Sequence, residues 1–159
     1  MLCATFWSAG IMAHGSAHKD IDQLRPGYAT IEQTDWGIAG HVSEVSRTIE
    51  IRLSDDMRFS PDQLTVHKGE TIRFVHHNVG EVMHEFVLGT ADELNAHAEL
   101  MKRFPNMEHD APYMAHIAPG ETGEIIWHFN KAGTFGFACL LPGHFEAGMY
   151  GEVHVLDAP

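Results

Sequence analysis

The sequence predicts an all-β sandwich interrupted by one helix, and three observations carry that expectation. Between positions 48 and 156 short apolar runs recur at close spacing, separated by glycine and proline, as the strands of a two-sheet fold are. In Thr48-Ile49-Glu50-Ile51-Arg52-Leu53 apolar and polar residues alternate with period two, giving one face for a core and one for water. One stretch breaks the pattern: Ala91 to Phe104 holds neither glycine nor proline and follows Thr90-x-x-Glu93, the signature of a capped helix N-terminus. A chain of 159 residues suffices for one domain with a good core.

Taken in order, residues 1–13, MLCATFWSAGIMA, are apolar, uncharged and rich in small residues. They read as the tail of a secretory signal peptide cut near Ala13, with which Cys3 would be lost; a short strand or a tail is the alternative. No segment reaches the roughly 18 apolar residues that a membrane-spanning helix needs, so no membrane span is expected. Residues 14–46, which carry His14 and His18 and the turn former Pro26-Gly27, have no helical or strand period and are expected as an extended arm.

The domain proper is expected over residues 47–159. Thr48 to Leu53 is its first strand, Phe59-Ser60-Pro61 breaks the chain, and Leu64-Thr65-Val66, Thr71 to Val75 and Glu85 to Leu88 follow as strands. The helix belongs to an insertion, a flap over about residues 90–118. Glu124 to Phe129, Thr134 to Ala138 and Gly151 to Leu156 complete about seven strands, enough to close a two-sheet core.

Charge and composition narrow the function. With 22 acidic and 10 basic residues the formal charge is -12, which excludes nucleic acid as the natural partner because phosphate binding needs a basic face. Thirteen histidines and eight methionines are a surplus of metal donors, to be weighed against a merely solvated histidine-rich surface.

The chemistry concentrates in TFGFACLLPGHFEAGMYGEV, from Thr134 to Val153. Cys139, His144 and Met149 are each separated from the next by four residues. A thiolate, an imidazole and a thioether on one short loop are a soft donor set, and with a second imidazole they suit copper that cycles between Cu(I) and Cu(II). Cys139 is the only cysteine after position 3, and a leftover thiol in an exported chain calls for a reason that metal ligation supplies. The second imidazole should lie on a neighbouring strand. In Lys68 to Gly89 two apolar runs flank Asn78-Val79-Gly80, and His84 opens the second.

Asn78 and His84, followed by Cys139-x4-His144-x4-Met149, closely resemble the cupredoxins, the small type 1 copper proteins that include plastocyanin, azurin and rusticyanin. The resemblance covers about residues 47–156. It implies a Greek-key sandwich in which His84, Cys139 and His144 form the trigonal plane around copper and Met149 is the weak axial ligand. Azurin-like members also carry a helical flap after the first histidine ligand. One position departs: the residue after that histidine is often Asn or Ser, and here it is Glu85.

The surplus of His and Met is similar to that of copper-tolerance cupredoxins of the bacterial periplasm. That likeness implies copper handling, with binding of copper ions and oxidation of Cu(I) through the type 1 centre. A soluble electron carrier with a redox protein partner is the alternative, marked by an apolar rim of Leu140, Leu141, Pro142 and Phe145 around His144. A larger copper enzyme would need a second such domain. Further donors could hold a second copper: Met107, His109, Met114 and His116 after the helix, together with His14 and His18, while His97 and Met101 share a helix face. Ordinary packing or solvation of these side chains is the competing expectation.

Overall fold

The computed structural model describes residues 33–105 and 110–158. The expected signal peptide, His14, His18, Met107 and His109 lie outside them. Ten strands and one α-helix are present among the described residues: β1 (Ile38–Ala39), β2 (Arg47–Ser54), β3 (Arg58–Ser60), β4 (Gln63–His67), β5 (Thr71–Asn78), β6 (His84–Gly89), α1 (Ala91–Arg103), β7 (Met114–Ile117), β8 (Thr122–His128), β9 (Gly133–Ala138) and β10 (Tyr150–Leu156). They form two five-stranded sheets, ordered β1-β8-β5-β2-β3 and β4-β10-β9-β6-β7. Two pairings, β2 with β5 and β4 with β10, are parallel, so the chain crosses between sheets rather than running as simple hairpins.

The alternation seen in the sequence sets what each strand buries. Along β5, Ile72, Phe74, His76 and Asn78 point inward, while Arg73, Val75 and His77 lie on the other face. The core between the sheets is aromatic: Phe86 stacks on Phe137 at 5.0 Å between ring centroids, and Phe59 meets both edge-on. Strand β6 is buried at every residue because its two faces are both covered. Phe86 and Leu88 lie with the main core, whereas Val87 joins Ala138, Leu140 and Met114 beneath α1.

Helix α1 forms where its capping box starts it. The Thr90 side chain accepts the Glu93 N–H, and the Glu93 carboxylate accepts the Thr90 N–H at 2.8 Å. Leu94, Ala98 and Met101, spaced four and three apart, make the stripe that seals the outer face of β6 and β9. Glu93 also accepts the Trp36 indole N–H at 2.7 Å.

That last contact lies in a stretch whose local pattern offered no reason to place it in the core. Trp36 is 2% exposed and stacks on Trp127 at 4.4 Å, and β1 pairs with β8, so this part of the expected arm packs against the sandwich. The further strands β1, β3 and β7 are too short to show a period.

Candidate metal centre

The centre is assembled at one end of the sandwich from two loops. The first joins β5 to β6 and is tied down by Asn78. Its side-chain amide donates to the Val82 and Ile117 carbonyls at 2.7 and 2.9 Å, and its oxygen accepts the Gly80 N–H at 2.9 Å. This delivers His84 at the first position of β6 with its side chain fully buried.

The second loop leaves β9 at Cys139 and returns to β10 after Met149. The Cys139 N–H donates to the Met149 carbonyl at 3.1 Å, which extends the β9–β10 ladder and sets Cys139 opposite Met149, while the Met149 N–H turns back to the His144 carbonyl at 3.1 Å within the loop. Directly opposed residues of an antiparallel pair point to one face. Both side chains are fully buried in the main core. Gly143 and Gly148 close the loop at φ +91 and +95, backbone conformations that a side chain disfavours. Two tethers hold the loop from outside: Arg58 donates to the Ala147 carbonyl at 2.8 Å, and Lys102 on α1 pairs with Glu146 at 2.8 Å.

The result is a convergence of donor atoms. One ligand atom each from His84, Cys139 and His144 lies within 4.8 Å of the others, and Cys139 Sγ is 3.2 Å from His144 Nδ1. No other group of three histidine, cysteine or acidic donors comes together among the described residues. His84 Nε2 lies 3.1 Å from Asp55 Oδ1, whereas its Nδ1 is buried without a hydrogen-bond partner. A buried imidazole nitrogen with nothing to bond is costly, on the order of 1–3 kcal/mol, unless a ligand takes it up. Two imidazoles and a thiol suit soft, redox-active copper, and so the residues present fit that metal.

The electrostatics are consistent with a metal arriving at neutral donors. Burial pushes the Cys139 thiol up to about 12, only partly opposed by the Glu85 N–H that donates to Sγ at 3.2 Å. The thiol is therefore protonated at neutral pH, and a metal that binds as to a thiolate must displace that proton. Desolvation, helped by the neighbouring His84, holds the His144 imidazole below its ordinary range, so it is neutral and able to ligate. The Asp55 carboxyl is held below its usual value, chiefly by the Glu81 N–H.

Glu85, the departure noted in the sequence, is fully buried. Its Oε2 accepts the Leu140 N–H at 3.2 Å, linking the two ligand-bearing loops across the sheet. Its Oε1 lies 2.6 Å from His116 Nε2 on the paired strand β7, an ion pair by separation although the oxygen accepts no well-directed hydrogen bond. That carboxylate raises the His116 pKa above its ordinary value. Removing His116 should cost more than replacing the Glu85 carboxylate by an amide, because a buried carboxylate left without its partner is the worse outcome. His116→Ala is expected to lower unfolding free energy by about 1–3 kcal/mol and Glu85→Gln by less, read from paired urea titrations of the metal-free protein.

Of the additional donors, Met114 is buried under α1 beside Met101, and His116 is engaged with Glu85. His97 is half-buried on α1. The apolar rim differs from expectation at one residue. Leu140 is 1% exposed because α1 covers that face, whereas Pro142 is exposed, Leu141 and Phe145 are half-buried, and Val79, Val82 and Met83 on the first loop add exposed apolar surface. Asp55, in the turn between β2 and β3, was not marked by any motif; its contact with His84 is made 29 residues away.

Comparison with known proteins agrees with this geometry. The copper binding proteins of the plastocyanin/azurin family match residues 45–156. The copper-resistant cuproprotein CopI of Rubrivivax gelatinosus is 49% identical over 142 residues, covering 89% of this chain and 82% of that protein. CopI of Vibrio cholerae serotype O1 is 32% identical over 145 residues, 91% of this chain and 84% of its own. Among solved structures, dithionite-reduced auracyanin from Roseiflexus castenholzii superposes with a TM-score of 0.60 at 23% identity, over 72% of this chain and 99% of that one, a likeness of fold. With a family match over residues 45–156 and a relative 49% identical over 89% of its length, the chain belongs to the plastocyanin/azurin family of copper binding proteins.

Proposed function

We propose that the chain is a copper-tolerance protein of the bacterial periplasm, exported by the segment at its N-terminus, that holds one type 1 copper through His84, Cys139, His144 and Met149. The observation that carries the reading is the meeting of three donor side chains within 4.8 Å, with a buried His84 Nδ1 lacking any other partner. The resistance role is supported by relatives named copper-resistant cuproproteins. Copper bound there supplies one-electron chemistry between Cu(I) and Cu(II). The protein's own part is to hold soft donors in a fixed frame and to keep water from the sulfur with Phe86, Phe137 and Leu140, all buried.

Met149→Leu is expected to keep the copper and raise its reduction potential, since a weak axial donor that favours Cu(II) is lost. An unchanged potential would remove Met149 from the ligand set. The physiological role is tested by deleting the gene and growing cells on copper. Sensitivity rescued by the wild-type chain but not by Cys139→Ser supports tolerance through this centre, and equal growth of all strains contradicts it.

Oxidation of Cu(I) is proposed as the accompanying activity, scored as oxygen uptake on addition of Cu(I) that Cys139→Ser eliminates. A second copper is proposed at Met107, His109, Met114 and His116, with His14 and His18. Binding there is expected to be weaker than at the first centre, because a metal would have to pull Met114 from beneath α1 and His116 from Glu85. Electron transfer to a redox protein is the second reading. It is favoured by exposed Val79, Val82 and Met83 on the loop that carries His84 and exposed Pro142 on the loop that carries His144, which would give a partner apolar surface on both ligand-bearing loops.

A further inference from the structure

Asp55 stands at the tip of the turn after β2, with its carboxylate turned onto the loop that carries His84. Its Oδ2 accepts the Glu81 N–H at 2.7 Å, and its Oδ1 lies 3.4 Å from the Val82 N and 3.1 Å from His84 Nε2. The approach is so close that a Cβ on Gly80 would fall 1.8 Å from Asp55 Oδ1, so the loop needs glycine there for the carboxylate to reach the ring. The same carboxylate thus holds the loop through the Glu81 and Val82 N–H groups and meets the His84 ring.

An imidazole has one proton to place when neutral. A carboxylate at Nε2 claims it, which leaves Nδ1 unprotonated, and Nδ1 is the nitrogen that is buried without a partner. Carboxylate–histidine–metal relays of this kind orient the ring and make it a stronger donor. A stronger donor favours the higher charge on the metal.

We propose that Asp55 is a positioning residue of the copper centre, holding His84 in the Nε2–H tautomer and strengthening its Nδ1 as a donor, so that Cu(II) is favoured over Cu(I). The inference rests on the type 1 copper reading given above. It adds to the ligand set a residue that touches no metal but sets how one ligand behaves. Asp55 is 39% exposed, so its charge acts on the buried ring from the solvent edge.

The test uses the full chain with Asp55→Asn and Asp55→Ala. Nitrogen-15 imidazole NMR of the metal-free protein reads the His84 tautomer, and titrations with Cu(I) and Cu(II) read the two affinities. Wild type is expected as the Nε2–H tautomer, Asp55→Asn to retain it through its amide oxygen, and Asp55→Ala to populate Nδ1–H. Both variants should bind Cu(II) about tenfold or more weakly while Cu(I) binding changes less. A tenfold fall in that affinity ratio raises the potential by about 59 mV. Asp55→Asn decides the matter should Asp55→Ala fail to fold. An unchanged affinity ratio in the variants, whatever their melting temperatures, overturns the role of Asp55. A wild-type chain without a type 1 signal overturns instead the copper reading on which it rests.

Discussion

Replacing Cys139 by serine is expected to remove the intense sulfur-to-copper absorption completely and to convert any copper that still binds to an ordinary nitrogen- and oxygen-ligated spectrum. The expectation follows from the position of the sulfur. Cys139 is fully buried, accepts the Glu85 N–H at Sγ, and faces His144 Nδ1 at 3.2 Å. A serine hydroxyl would occupy the same place as a hard, neutral donor that does not ionise at neutral pH, so the covalent copper–thiolate character is lost rather than weakened. His109→Ala, which replaces none of the four expected type 1 ligands, should leave the band intact. Retention of the band in Cys139→Ser would remove the cysteine from the ligand set.

The largest expected effect of pH on stability comes from His76, which lies outside the group of converging donors. Its side chain is 0% exposed, its ring lies 4.1 Å from that of Phe86, and neither nitrogen makes a well-directed hydrogen bond, the Gly123 backbone offering only a weak contact. Burial, with a smaller contribution from His77, lowers its pKa from 6.5 to about 3. The unfolded chain therefore binds a proton below pH 6.5 that the folded chain refuses, and stability falls as pH drops through that window. The slope is about 1.4 kcal/mol per pH unit for a single group. Between pH 7 and pH 5, metal-free wild type should lose about 2 kcal/mol more than His76→Phe, whatever the constant offset between them. Equal losses in urea titrations at the two pH values would show that His76 takes up its proton in the folded chain as readily as in the unfolded one.

What could be read from the sequence was what is local. The helix was legible because Thr90 and Glu93 cap it within one turn. That Cys139 and His144 come together was legible because they share one loop, and His84 stood out because it opens a strand. Trp36 was not, since its burial depends on Trp127, 91 residues away. Leu140 was expected at the surface because nothing in its own segment shows that α1 lies over that face of β9. Glu85 drew notice only as a departure. Its pairing with His116 comes from the register of β6 on β7, which no pattern within either strand reveals. Asp55 reaches His84 through a turn and a glycine, and both read as ordinary chain reversals.

The most direct test of the account is a copper titration of the protein followed together by visible absorption and electron paramagnetic resonance, with copper counted per chain. The account predicts that the first equivalent produces the intense sulfur-to-copper band and a type 1 resonance in step, with any further copper binding more weakly and without that band. A first equivalent that binds with neither signature would contradict a copper centre built on His84, Cys139, His144 and Met149.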